Sequence, residues 1–304
     1  MATVVFKVND VTKEKLIKFY EDKKRDKAVP YAIFQAQDGD TVITLYESGK
    51  VMFQGVSADV DANMWKDIDG QKVEDKVDIE KQYEKYYYSS SIGSDEVGTG
   101  DYFGPIVVTS AYVAKEDIPF LEQLGIKDSK KLDDEKIKKI VPELIKKIKY
   151  KSLILSNKEY NEKYNTEFNM NKIKAVMHNK VLWKMVHEEE LTYDYIIVDE
   201  FAKENRYYGY NEGNPSIQKG ITFITKAEDK NLAVAAASVI SRYIFLAEFN
   251  KICDEIHIPL PKGAGKEVDD AGKEVLEKYG KEKLKEIAKY NFKNTERILE
   301  IKIV

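Results

Sequence analysis

Residues 91–113 read SIGSDEVGTGDYFGPIVVTSAYV. Residues 91–97 have the composition of a buried strand, 98–104 form a glycine-bearing turn, and 105–113 (PIVVTSAYV) form a second strand. Asp95 and Glu96 stand at the end of the first strand, just before Gly98-Thr99-Gly100. Two acids in a row at a strand end repel, and burial raises that cost. A divalent cation removes both penalties, although an exposed turn would also tolerate these residue types.

Downstream, residues 133–149 repeat apolar positions at Ile137, Ile140, Val141, Leu144, Ile145 and Ile148, the pattern of a helical face. Pro142 lies inside that face and predicts a kink or a break. Strands are expected at 152–156, 194–198 and 220–225, and long helices at 169–190 and 229–251. The second of these helices carries Ala233, Ala235, Ala236, Ala237 and Ser238, small residues that let a helix lie close to a sheet. Shorter helices follow the PKGAG loop at 261–265. These elements make residues 91–304 an α/β domain.

Upstream, strands are expected at 3–8, 31–36, 41–46 and 50–55, with helices at 11–25 and 58–69. DGD (38–40) and ESGK (47–50) supply the turns between the middle strands. Residues 1–70 are thus a small α+β domain. Residues 71–90, charged and then rich in tyrosine and serine, are a linker. Tyr86, Tyr87 and Tyr88 at its end have the chemistry to stack on bases, but packing within the linker is the simpler role.

The chain has 304 residues and a mass of 35.0 kDa, enough for two domains. Hydrophobic residues make up 43% of it, which supports a real core. No window approaches the roughly 18 consecutive apolar residues of a membrane helix. The N-terminus lacks the pattern of a secretory signal, so the expected location is cytoplasmic, with no membrane partner. A single cysteine, Cys253, excludes an internal disulfide framework and a Cys-rich zinc site; it reads as a buried small residue. His178, His187 and His257 lack metal-site spacing, and His178 reads as a packing or capping residue. Any catalytic metal would therefore rest on carboxylate oxygens, which favours magnesium or manganese.

A net charge of −4 and a pI near 5.7 argue mildly against nucleic acid as a partner. The total hides a basic segment, however: Lys127 to Lys163 holds 12 lysines against seven acids. Carboxylates also recur at strand ends. Asp199 and Glu200 follow YIIV, and Glu228 follows GITFITKA. Open α/β sheets place their sites at such ends. Adjacent strand side chains point to opposite faces, so one member of each acidic pair is expected to face away. A dinucleotide site is rejected: Gly98-x-Gly100-x-x-x-Gly104 has the wrong spacing and leads into a strand, not a helix. No GxxxxGK[ST] phosphate loop occurs.

GSDEVGTGDYFGPIVVTSAYV, KDSKKL at 127–132, VDEF at 198–201 and KAEDKNLAVAAASVISRY at 226–243, in that order, resemble the type 2 ribonucleases H. Within that group the chain resembles ribonuclease HIII. The GTG turn stands where ribonuclease HII carries GRG, Glu228 stands where it has aspartate, and an N-terminal module is present. PKGAG with Val268-Asp269 fits the same pattern. The layout of the N-terminal module is similar to half of the TATA-box-binding protein.

The resemblance implies an RNase H-like mixed five-stranded sheet flanked by helices. It implies hydrolysis of the RNA strand of an RNA–DNA hybrid, leaving 5′-phosphate and 3′-hydroxyl ends. The four active-site acids map to Asp95, Glu96, Asp199 and Glu228, and Glu200 drops out. Two Mg2+ or Mn2+ ions, roughly 3.5–4 Å apart in such sites, would activate water and stabilise the leaving oxygen. Gly98, Thr99 and Gly100 would approach the RNA minor groove, where 2′-hydroxyls are exposed. Ser129, Lys130 and Lys131 would meet phosphate, and Lys226 is similarly placed. The N-terminal module would hold substrate, with Lys23, Lys24, Arg25 and Lys27 bunched near its first helix and a sheet face carrying Phe34, Gln35 and Gln54. A monomer is expected. The alternatives are ribonuclease HII-like cleavage at single embedded ribonucleotides, which the missing arginine of GTG disfavours, and a non-catalytic hybrid-binding protein.

Overall fold

The computed structural model describes residues 2–25, 29–69 and 84–300. The chain divides into two units, Met1–Glu80 and Lys81–Val304. Residues 71–83 of the expected linker, and Lys27, lie outside the described residues.

In the first unit, β1 (Ala2–Lys7), β2 (Ala32–Asp38), β3 (Thr41–Tyr46) and β4 (Lys50–Gly55) form an antiparallel sheet of order β1-β4-β3-β2. Helices α1 (Asp10–Phe19) and α2 (Ala58–Ile68) contribute Leu16, Tyr20, which directly follows α1, and Trp65 to a core with Ile43, Leu45, Val51 and Phe53. The first helix ends well before its sequence suggests. Tyr20 is buried and its hydroxyl accepts a hydrogen bond from Trp65 Nε1 at 3.1 Å, which turns the chain inward. Arg25 N–H then bonds to Gln35 O at 2.8 Å, so Lys24 and Arg25 run along the edge of β2. Period-2 alternation splits the expected binding face. Phe34 is a core residue, whereas Gln35 is buried on the opposite face and donates to Thr44 Oγ1 at 2.9 Å. Gln54 is exposed.

In the second unit, β5 (Ser91–Val97), β6 (Ile106–Val113), β7 (Tyr150–Leu155), β8 (Tyr195–Asp199) and β9 (Ile221–Ile224) form a mixed sheet of order β7-β6-β5-β8-β9. The β5–β6 and β6–β7 pairs are antiparallel, and the β5–β8 and β8–β9 pairs are parallel. Its helices are α3 (Ile118–Gln123), α4 (Asp134–Lys147), α5 (Asn157–Lys163), α6 (Met170–Glu188), α7 (Glu204–Tyr210), α8 (Leu232–Ile256), α9 (Lys266–Ile287, broken at Gly280) and α10 (Lys293–Leu299).

Central strand β5 is sandwiched between α8 and α6. A Cβ on Gly93 would stand 2.3 Å from Val234 N, so the alanine-rich start of α8 rests directly on the strand backbone. On the other face Ile92 packs with Ala175 and Leu182 of α6. Helix α8 is long and apolar enough to cross a membrane, but most of its apolar residues lie in the core between sheet and neighbouring helices. Pro142 does not break α4. Ile137, Val141 and Leu144 are buried on one face of that helix, and their packing carries it through the single backbone bond that proline cannot make. Tyr87 is buried and donates to Glu122 Oε1 at 2.8 Å, and Tyr86 meets Tyr195 edge-on, so the end of the linker packs into this unit. Cys253 is only partly buried.

Candidate active site

Strand alternation sends the first two acids to opposite sides of β5. Asp95, in phase with Gly93, faces α8, where the Ser238 hydroxyl bonds to its carboxylate. Glu96, in phase with Ser94, faces α6. Parallel pairing places β8 beside β5, so Asp199 at the end of β8 arrives at the same edge of the sheet.

Glu228 does not sit at a strand end. Strand β9 stops at Ile224, Lys226 takes a left-handed conformation (φ 54°), and Ala227–Asp229 form a single 3-10 turn. Asp199 Oδ1 accepts the Ala227 N–H at 3.0 Å, tying that turn to β8.

Asp95, Asp199 and Glu228 line a cleft of about 250 Å3, with Ser129 of the KDSKKL segment and with Ser238 and Arg242 of α8. The charge in this cleft is costly without a cation. Burial, then the charge of Glu96, pushes the Asp95 carboxyl up to about 8. Burial, then Glu228 and Glu96, also raises Asp199 against the Ala227 hydrogen bond. An oxygen-only donor set that resists its own ionisation fits a hard divalent cation. Among the described residues, no three His, Cys, Asp or Glu side chains form a ready-made metal cage.

Glu96 is occupied at both oxygens. Lys174 Nζ pairs with Oε1. His178 Nε2 meets Oε2 at 2.8 Å. Burial opposes the charge of Glu96, but His178 and Lys174 outweigh it and hold the carboxyl down to about 2. A carboxylate only accepts, so Nε2 donates. In the neutral ring, Nδ1 then accepts the Ser94 hydroxyl, 2.8 Å away. His178 is fully buried and therefore contacts a site acid, beyond the packing role read from the sequence. The signal was present as Lys174 and His178 one helical turn apart, opposite Ser94 and Glu96 two apart on a strand. It becomes legible only once α6 is known to cover β5.

The glycine turn at 98–104 is braced from the opposite end of the chain. Gly98 has φ +94°, and a Cβ there would stand 2.1 Å from Pro105 O; Gly100 is exposed with nothing within 4 Å of its Cβ position. Asp101 Oδ1 accepts Gly263 N–H at 2.6 Å, linking this turn to the PKGAG loop. Lys289, fully buried, donates to Asp101 O at 2.8 Å and Gly104 O at 2.6 Å. The guanidinium of Arg242 bonds to Asp134 and to Leu132 O, fixing the end of the KDSKKL segment, and Lys262 also pairs with Asp134. Arg242, Asp134 and Lys289 were not singled out by sequence. Ser129 is buried in the cleft wall, Lys131 and Lys226 are exposed, and the side chain of Lys130 lies outside the described ones.

A five-stranded mixed sheet with carboxylates gathered where its central parallel strands end defines a nuclease of the ribonuclease H class. The ribonuclease HII family model matches residues 92–295, and a domain of unknown function, DUF3378, matches residues 3–77. Ribonuclease HIII of Bacillus anthracis is 38% identical over 305 residues, covering 97% of either chain. Ribonuclease HIII of Bacillus cereus is 37% identical over 309 residues, covering 98% of either. The crystal structure of Bst-RNase HIII in complex with Mn2+ is similar across 98% of both chains, with 37% identity and a TM-score of 0.71. The chain belongs to the ribonuclease HIII family.

Proposed function

We propose that this chain is an endoribonuclease that hydrolyses the RNA strand of RNA–DNA hybrids, using Mg2+ or Mn2+ held by Asp95, Glu96, Asp199 and Glu228. The observation that carries this reading is the convergence of Asp95, Asp199 and Glu228 in one cleft with Ser129 and Arg242. The bound ions supply positive charge for the phosphodiester, a nucleophile from water and stabilisation of the leaving 3′-oxygen. The chain does the rest. Asp199 holds the turn that carries Glu228. Ser238 hydrogen-bonds to Asp95. Arg242 fixes the KDSKKL segment, whose Ser129 lines the cleft where a phosphate would enter. Gly98 sets the shape of the turn and Gly100 leaves its outer surface open for the RNA strand. Lys130, Lys131 and Lys226 supply phosphate contacts. The Mn2+ complex of the Bst relative supports the choice of metal. Residues 1–70 form the substrate-holding domain, 71–90 the linker and 91–304 the catalytic domain.

The test is cleavage of an end-labelled RNA strand in a uniform hybrid, against a DNA duplex with one embedded ribonucleotide, each with Mg2+ and with Mn2+. Multiple cuts in the hybrid, with 5′-phosphate ends and far slower cutting at the single ribonucleotide, are expected. Preference for the single ribonucleotide would indicate ribonuclease HII-like activity, and tight binding without cleavage would indicate a binding protein.

A further inference from the structure

We propose that Glu96 is held by one fixed anchor, His178 backed by Ser94, and by one exchangeable cation, Lys174, which competes with the divalent ion for the same carboxylate. This rests on the proposed function, because it takes Glu96 as a metal ligand.

The two contacts differ in kind. His178 uses both ring nitrogens, one toward Ser94 Oγ and one toward Glu96 Oε2, each at 2.8 Å. Ser94 and His178 are both fully buried, so the Ser94–His178 pair is shielded from solvent and holds the ring in place. Lys174 pairs with the other oxygen through an ammonium on a flexible four-carbon stem. The side chains of Lys174 and Glu96 are 13% and 12% exposed. The Lys174–Glu96 pair therefore keeps some contact with solvent, unlike the Ser94–His178 pair. In the same position the Lys174 Nζ also lies 4.2 Å from the centroid of the Phe201 ring, a contact that does not depend on the Glu96 carboxylate. Phe201 follows closely on Asp199, so the displaced ammonium would stay beside the site.

Electrostatics gives the exchange its reason. Without an ion, Glu96 and Glu228 raise the cost of ionising Asp95 and Asp199, and the positive charge of Lys174 favours the charged form of both Glu96 and Asp199. A divalent ion does the same with twice the charge. Lys174 is thus a resident substitute that stabilises the metal-free enzyme and weakens metal binding, while His178 keeps the Glu96 carboxylate in place whichever cation is present. Among the described residues the carboxylates form no ready cage, and one of them is already paired.

The two residues should therefore move metal affinity in opposite directions, which loss of packing alone would not do. The readout is Mn2+ binding to the metal-free full-length protein by calorimetry, with free Mn2+ followed by paramagnetic resonance and no substrate present. Lys174→Met is expected to tighten the weaker Mn2+ site about tenfold, the factor for an ion pair closed about nine-tenths of the time. Lys174→Arg, which keeps a competing cation, should restore binding close to wild type. His178→Ala should weaken the same site roughly 10- to 100-fold, as loss of a ligand-orienting partner does. Ser94→Ala replaces His178→Ala, and Lys174→Gln replaces Lys174→Met, if thermal melts show that either variant fails to fold. Equal or weaker Mn2+ binding by Lys174→Met, or unchanged binding without the His178 contact, overturns the proposal. Asp95→Asn separates the two levels: if it too leaves Mn2+ binding unchanged, the metal site itself is misassigned.

Discussion

The Asp199 carboxylate accepts the backbone N–H of Ala227 at 3.0 Å, and this contact ties the turn that carries Glu228 to β8. Glu228 belongs to a turn and not to a strand, so strand pairing does not place it. An acid at the end of β8 thereby positions a second acid far downstream in the chain.

Asp95→Asn, Glu96→Gln, Asp199→Asn and Glu228→Gln are each expected to lower kcat roughly 10²-fold or more with Mg2+ while the fold survives. Asp199→Asn keeps an oxygen for Ala227 N–H, so Asp199→Ala should be the more disruptive change at that position. Glu200→Gln is the control, because Glu200 pairs only with exposed Lys203, at 2.6 Å, among the ion pairs described. Its loss should change stability by no more than about 0.5 kcal/mol. Steady-state kinetics on a labelled hybrid and thermal melts check these outcomes.

The metal-free protein should lose stability as pH rises. A carboxyl whose folded pKa is raised contributes stability that is fully present below its ordinary value and lost through its folded value. For Asp95 that window runs from 3.8 up to about 8. Melting temperatures in EDTA should therefore favour Asp95→Asn over wild type most strongly at the top of that window and above, and added Mn2+ should close the gap by stabilising wild type.

Gly98→Ala and Gly100→Ala should separate cleanly. The first forces a Cβ into Pro105 O at positive φ. It is expected to cost about 3 kcal/mol. The second has open space around the new methyl group. It should leave stability within about 0.5 kcal/mol of wild type. It should raise KM for the hybrid if the turn lies against RNA. Chemical denaturation together with KM for both variants checks the pair.

Lys289 predicts a pH dependence of the opposite sign. Burial pushes its ammonium down to about 7 from the ordinary 10.5, so its stabilising contribution is present above 10.5 and is lost as pH falls to about 7. Lys289→Met should flatten stability across that window. The Asp101 and Gly104 carbonyls also lose their donor in this variant. That loss should cost about 2 kcal/mol. Denaturant melts of both proteins across the window check the slope and the offset.

Residues 1–80 are expected to hold substrate and not to carry out chemistry. Residues 1–90 carry 14 Lys and Arg against 17 Asp and Glu, so net charge alone does not draw them to a duplex. Comparing residues 81–304 with the full chain should give a higher KM and a flatter salt dependence, with a much smaller change in turnover at saturating substrate. Equal KM and equal salt slope would leave the N-terminal unit without this role.

Much of the fold was legible because its signals are local. Period-2 and period-3.6 patterns placed the strands and the long helices, and Asp95, Glu96 and Asp199 announced themselves by following apolar runs. The failures came from tertiary contacts that override local rules. Pro142 stays inside α4 because Ile137, Val141 and Leu144 are buried on one face. Helix α1 stops early because Tyr20 turns inward to Trp65. His178 could not be assigned because its partners, Ser94 and Glu96, lie 84 and 82 positions away in the chain. Lys289 reaches the glycine turn across 188 positions to Asp101 and 185 to Gly104.

The most direct measurement is single-turnover cleavage of a fluorescent RNA strand in an RNA–DNA hybrid, in Mn2+ buffer and in EDTA, by wild type and by Asp95→Asn. The account predicts rapid internal cutting by wild type that EDTA abolishes, and cutting slowed by orders of magnitude in Asp95→Asn while hybrid binding is retained. Cleavage by wild type that persists in EDTA, or cleavage by Asp95→Asn at close to the wild-type rate, would contradict it.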